Sequence, residues 1–213
     1  MRHTALLALI AGLSGTATAG GLTIVLDDFA SEPNNQAGGP RAVSTIILSN
    51  PFNQPATFAV DTSFSFDGIN GAAVFNSGIG VEQEGTILWD NNGAGLGLDA
   101  ASLGLIGFEL DFLMIDQAFT YIIEVSSADG ALSRFGSFAA GGARTESLAL
   151  GDFDVFGTFD ASAVDSVRII FNVSDETTAS LDFILTEFRA VVPTPGTVAM
   201  LAMGGLLIAR RRR

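Results

Sequence analysis

The chain has 213 residues, of which 23 are Asp or Glu and 10 are Arg, with no Lys, no Cys and a single His, His3. That inventory excludes disulfide staples, thiol nucleophiles, lysine Schiff bases and phosphate-loop lysines, and leaves any histidine-based triad or zinc site to one residue near the start. A formal charge of −13 disfavours nucleic acid and anionic lipid headgroups as partners.

In chain order, the first segment reads as a signal peptide. Arg2 and His3 form a small positive region, Thr4 to Leu13 is apolar, and Ala17-Thr18-Ala19 supplies small residues for cleavage after Ala19. The domains expected are 1–19, the signal peptide; 20–191, the folded domain; and 192–213, a tail. Between residues 20 and 192, five arginines stand against all 23 carboxylates, which leaves −18 once both ends are removed. His3 leaves with the signal peptide, so carboxylates, hydroxyls, amides and arginine remain for chemistry.

From Leu22 onward the dominant hydrophobic period is two, the mark of half-buried strands. Phe58, Val60, Thr62, Phe64 and Phe66 share one face. So do Phe108, Leu110 and Phe112; Tyr121, Ile123 and Val125; and Val167, Ile169, Phe171 and Val173. Leu181, Phe183 and Leu185 continue the pattern until the phase slips at Glu187-Phe188, which predicts a bulge. Turn signals such as Asn50-Pro51, Asp67-Gly68, Asn91-Asn92-Gly93 and Asp129-Gly130 separate these segments. Asp99 to Leu105 predicts a short helical turn capped by Asp99. Ten or so short strands with no long amphipathic helix predict an all-β, antiparallel two-sheet sandwich of jelly-roll type. The 17 phenylalanines fall mostly on the inward phase and read as core. One internal echo, Ala37-Gly38-Gly39-Pro40-Arg41 and Ala140-Gly141-Gly142-Ala143-Arg144, suits two arginine-bearing loops; Gly-rich turns also recur by chance among 25 glycines.

The tail reads Val192-Pro193-Thr194-Pro195-Gly196-Thr197, then twelve apolar residues, Val198 to Ala209, then Arg210, Arg211, Arg212 and Arg213. As a helix the apolar run covers about 18 Å, short of the roughly 30 Å of a bilayer core. The arginines favour the cytoplasmic side. This order resembles the PEP-CTERM sorting signal of bacteria, in which a Pro-Glu-Pro-like motif precedes a short transmembrane helix and a basic cluster; Thr194 stands where that family has Glu. The resemblance covers residues 192 to 213. It implies a membrane-held intermediate, cutting by an exosortase-like sorting protease, and delivery to the cell surface or extracellular matrix. A permanent single-span anchor is the alternative reading of the same residues.

Three chemistries are open to the domain. Glu109 and Asp111, two apart on one strand, share a face at a spacing that overlaps an inverting glycosidase pair; a solvated strand face gives the same pattern. A structural Ca²⁺ between first and last strands would draw on Asp27, Asp28 and Asp182; ordinary strand-end aspartates account for them equally. Sugar stacking needs an exposed Trp or Tyr. Trp89, beside the polar Asp90-Asn91-Asn92 turn, is the candidate platform, whereas Tyr121 is in phase with core residues. The function expected is a non-catalytic structural or adhesive sandwich that contacts polysaccharide. The alternative is a carboxylate-dependent glycoside hydrolase or polysaccharide lyase, which needs a cleft where acids converge with Arg41, Arg134 or Arg144.

Overall fold

A computed structural model describes residues 22–30 and 41–193. The expected signal peptide, residues Ala37 to Pro40 of the first echo, and the tail from Thr194 onward, including Pro195, Gly196 and Arg210 to Arg213, lie outside the described residues. The folded unit spans Thr23–Val192.

Twelve strands build it: β1 (Leu22–Asp27), β2 (Arg41–Ser49), β3 (Ala56–Phe66), β4 (Ile69–Ser77), β5 (Glu82–Trp89), β6 (Gly107–Ile115), β7 (Phe119–Ser127), β8 (Gly130–Phe138), β9 (Arg144–Ala149), β10 (Asp154–Gly157), β11 (Ser166–Phe171) and β12 (Asp182–Val192). They form two six-stranded sheets. The first has the order β3-β4-β12-β6-β9, with β1 also paired to β12; the second runs β10-β8-β7-β11-β5-β2. Every pairing whose register is defined is antiparallel. The expected two-sheet, jelly-roll-like sandwich is therefore present. The only α-helical turn among the described residues is α1 (Ala100–Leu103). Asp99 caps it as expected, accepting from the Ser102 amide at 2.8 Å and the Ser102 hydroxyl at 2.6 Å.

The alternation sets the faces. Phe108, Leu110 and Phe112 on β6, Tyr121, Ile123 and Val125 on β7, and Val167, Ile169 and Phe171 on β11 are all buried between the sheets. Aromatic rings fill one end: Phe183 stacks on Phe75 at 4.8 Å and on Phe119 at 5.0 Å, with Phe58, Phe112 and Phe171 around it. Phe188 fills the other, between Trp89 at 4.8 Å and Phe108 at 5.4 Å. Aromatic pairs at these separations add to the burial of their area.

Two expectations need correction. The shared face from Phe58 to Phe66 does not stay buried: pairing with β4 loses register between Asp61 and Ser65, and Phe66 at the hairpin tip is exposed. The β11 alternation ends at Phe171, because Asn172 turns to φ +58° and takes Val173 out of the strand. The predicted irregularity is present: the β12–β6 ladder skips Leu113 on β6 between Ile184 and Leu185 and then Thr186 on β12 between Leu185 and Glu187, so each strand changes phase once. Asp67 and Gly68, both at positive φ (48° and 86°), form the two-residue turn that joins β3 to β4.

Candidate functional site

The bulge at Thr186 decides what the outer face of the first sheet presents. Phe183 and Leu185 point inward before it; after it Phe188 and Ala190 do, so Glu187 and Arg189 are turned out. Across the ladder, Glu187 lies opposite Asp111 and Arg189 opposite Glu109. Directly opposed residues on one face bring their Cβ atoms to about 4.5–5.5 Å, so four charges are gathered by register alone. The Arg189 guanidinium grips Asp111 with both terminal nitrogens, each at 2.8 Å. It also reaches Glu109 at 3.1 Å and Glu187 at 3.2 Å. Thr145 on β9 donates a further hydrogen bond to Asp111.

Beside this cluster lies an open groove of about 670 Å³. Its polar floor and walls come from five segments: Asp28 after β1, Asn70 near the start of β4, Asp111 in mid-β6, Arg144 and Thr145 at the start of β9, and Glu187 in mid-β12. Arg144 pairs with Glu146 at 2.8 Å and also donates to the Ala139 carbonyl. The groove thus combines carboxylate, amide, hydroxyl and guanidinium groups with apolar wall from Val25, Ile69 and Leu113. Partial burial raises the Glu187 carboxyl above the usual carboxylate range; Arg189 opposes this, while Asp111 and Asp28 add to it.

The residues predicted from sequence fall in other places. Trp89 is 1% exposed. Its indole N–H donates to Asp27 at 2.8 Å, and its ring stacks on Phe188. It is therefore a core residue and no sugar platform. The adjoining Asp90-Asn91-Asn92 turn lies outside the core and folds on itself. Asn91 and Asn92 are left-handed (φ 53° and 55°), and the Asp90 carbonyl accepts from the amides of Gly93 at 3.1 Å and Gly95 at 2.9 Å. Tyr121 is buried as expected. No Trp or Tyr is thus exposed among the described residues, since the chain holds one of each.

The calcium set is not brought together. Asp27 is fully buried and its carboxylate accepts from Arg41 at 2.8 Å, Trp89 at 2.8 Å and the Phe29 amide at 2.9 Å. Burial pushes its carboxyl up, and those three donors pull it back. Asp28 lines the outer groove. Asp182 accepts from the Ser77 amide at 2.9 Å, and its own amide donates to Asp116. Among the described residues, no three acidic side chains group to hold a metal ion.

Glu109 and Asp111 do share a face, but Arg189 bridges them. Of the three arginines expected at a cleft, Arg41 is buried on Asp27, Arg134 reaches Asp152 at 3.3 Å, and only Arg144 lines the groove. The two echo arginines are therefore not equivalent: Arg41 starts an edge strand of the second sheet and Arg144 an edge strand of the first. Sequence reading missed Glu187, Arg189, Asn70 and Thr145. The signal for the first two was present, since Glu-x-Arg on one strand complements Glu-x-Asp on another, but only the register shows that these strands are neighbours.

Neither a family model nor a curated protein matches the chain. Its fold matches that of two solved carbohydrate-binding modules of Clostridium thermocellum. One is a family 11 module in complex with a β-1,3-1,4-mixed-linked tetrasaccharide, at 10% identity and TM-score 0.51, over 80% of this chain and 96% of that one. The other is the family 11 module of the cellulosomal cellulase Lic26A-Cel5E, at 12% identity and TM-score 0.50, over 81% of this chain and 95% of that one. At this identity the likeness is one of fold.

Proposed function

We propose that this protein is a non-catalytic sandwich that binds polysaccharide in the outer groove of the first sheet, exported and sorted to the cell surface or matrix by its tail. The observation that carries the binding reading is the groove itself: Asn70, Thr145 and Arg144 offer donors and acceptors, on a sandwich that shares the fold of carbohydrate-binding modules. With Trp89 and Tyr121 buried, recognition rests on hydrogen bonds to sugar hydroxyls. Each is worth about 0.5–1.5 kcal/mol net. Affinity per site is then modest, and multivalent display along a polymer supplies the rest. The groove's carboxylates favour neutral glycans over anionic ones.

The signal-peptide pattern supports export. The Pro193-Thr194-Pro195 motif, the short apolar run and the terminal arginines support sorting by an exosortase-like protease through an inner-membrane intermediate.

One observation favours the enzymatic alternative, a glycoside hydrolase or polysaccharide lyase: Glu187, a carboxyl with a raised proton affinity, stands beside Asp111 at an open groove. Against it, both carboxylate oxygens of Asp111 are taken up by guanidinium nitrogens of Arg189, with the Thr145 hydroxyl as a further donor, so the pair is engaged within the protein and not turned toward a substrate. The test is a glycan array and a turnover screen of the Thr23–Val192 unit, with Ca²⁺ and with chelator. Retention of neutral polysaccharide without release of reducing ends or unsaturated products is expected. Absence of binding to every glycan overturns the reading, and turnover abolished by Glu187→Gln replaces it with the enzymatic one.

A further inference from the structure

We propose that the outer edge of β2, which no described strand pairs with, joins two copies of this protein into a dimer. β2 is a terminal strand of the second sheet, and β5 is its strand neighbour among the described residues. A sheet edge presents unpaired N–H and C=O groups, which folded proteins protect with charges, prolines or very short strands. β2 is nine residues long and presents no charge and no proline at its surface; the register shift near Leu48 protects only its end. Its one charged residue, Arg41, is buried on Asp27. A register shift near Leu48 ends the regular ladder, so the pairing edge runs from Ala42 to Ile47.

Three observations select a second copy as the occupant. The first is charge. The nineteen residues from 42 to 60 contain no ionisable side chain, in a domain of −18. Two such molecules repel over most of their surface, and an approach along this stretch keeps the nearest carboxylates, Glu82 and Glu84, one strand back on β5.

The second is exposure. Thr45, Ile46, Ile47 and Leu48 are exposed in succession, so side chains on both faces of this half-strand reach the surface among the described residues. Phe52, 64% exposed, packs over Gly80 at the same end, next to Ile79, which is 76% exposed. Ile46 and Leu48 on one face, Ile47 on the other, and Phe52 and Ile79 at the end of the strand thus give this edge exposed apolar surface that a second copy would cover in part.

The third is symmetry. Antiparallel pairing of identical strands about a two-fold axis is self-complementary, so every free group on one copy meets its counterpart on the other. The inference does not rest on the polysaccharide reading, because the groove lies on the other sheet.

The absence of cysteine makes the test specific. In the full chain, Ser44→Cys is treated with a short bis-maleimide and compared with Val155→Cys, an exposed site on the opposite edge strand β10. A product of twice the 22.0 kDa chain mass is expected from Ser44→Cys alone. Its yield should rise from low to moderate salt, as screening over a Debye length of about 10 Å relieves the repulsion. Adding Ile46→Lys should return the yield to the Val155→Cys level. That lysine faces Glu84 on β5, a pairing that supports the monomer's own ladder. Equal yields at the two cysteines, a yield untouched by Ile46→Lys, or cross-linking to a different protein overturns the proposal.

Discussion

The Arg41 guanidinium donates to the Asp27 carboxylate at 2.8 Å in the interior, with side chains 3% and 0% exposed. The pair ties the last residue of β1 to the first of β2, and thereby the first sheet to the second. Trp89 adds its indole N–H to the same carboxylate, and Phe29 lies against the guanidinium at 5.4 Å. A buried pair of this kind contributes little net stability against apolar residues of equal shape, but breaking it leaves an uncompensated charge. Arg41→Met should cost about 3–5 kcal/mol. Changing Asp27 to Asn in the same chain should recover part of that loss. Urea denaturation followed by the emission of Trp89, the single tryptophan, measures both; equal stability of wild type and Arg41→Met would contradict the account.

The groove makes a separate prediction about ligand binding. Asn70→Ala removes one donor and one acceptor from an exposed position and should weaken glycan binding by about 2- to 10-fold, as expected for one or two neutral hydrogen bonds. Folding should be untouched. Trp89 emission should stay blue-shifted and unchanged on binding, since its ring is in the core. Calorimetry with parallel fluorescence checks both; a ligand-induced shift of that emission would place the sugar elsewhere.

Packing at the aromatic end is tight enough to detect one methyl group. A Cβ on Gly85 would lie 2.6 Å from the Phe58 ring and 2.8 Å from the Phe75 ring. Gly85→Ala should destabilise by about 1–3 kcal/mol through overpacking. Thermal melts are the measurement, with Gly142→Ala, which meets no neighbour, as the neutral control.

Acid titration should reveal Asp182. Partial burial raises its carboxyl above the ordinary value; the Ser77 amide opposes the shift and Asp116 adds to it. A raised folded-state value means that the native protein holds this proton more tightly than the unfolded chain. The stabilising contribution is complete below the unfolded value of 3.8 and is lost as pH rises through the folded value. At neutral pH the ion is therefore a cost. Asp182→Asn keeps an acceptor for Ser77, so it should raise Tm at pH 7, with the gain shrinking toward pH 3. A gain that grows on acidification would reverse the sign and refute the argument.

The alternation of Phe108-Leu110-Phe112 and Val167-Ile169-Phe171, the phase slip near Glu187 and the Asp99 cap were all legible in the chain, because each depends on residues a few positions apart. A period of two states which side chains share a face, and a cap needs only its own first turn. What no local pattern carries is which strand lies beside which. Trp89 next to three polar residues looks like a platform until β5 is set between β11 and β2, which turns its ring onto Phe188. Asp27 looks like a strand-end ligand until Arg41 and Trp89 arrive. Glu187, Arg189, Glu109 and Asp111 become one cluster only through the pairing of β12 with β6, across more than seventy residues. Composition and periodicity thus determined the fold class, the core and the acidity. Strand order and register, which are tertiary, decided which polar groups face the groove and which are spent holding the two sheets together.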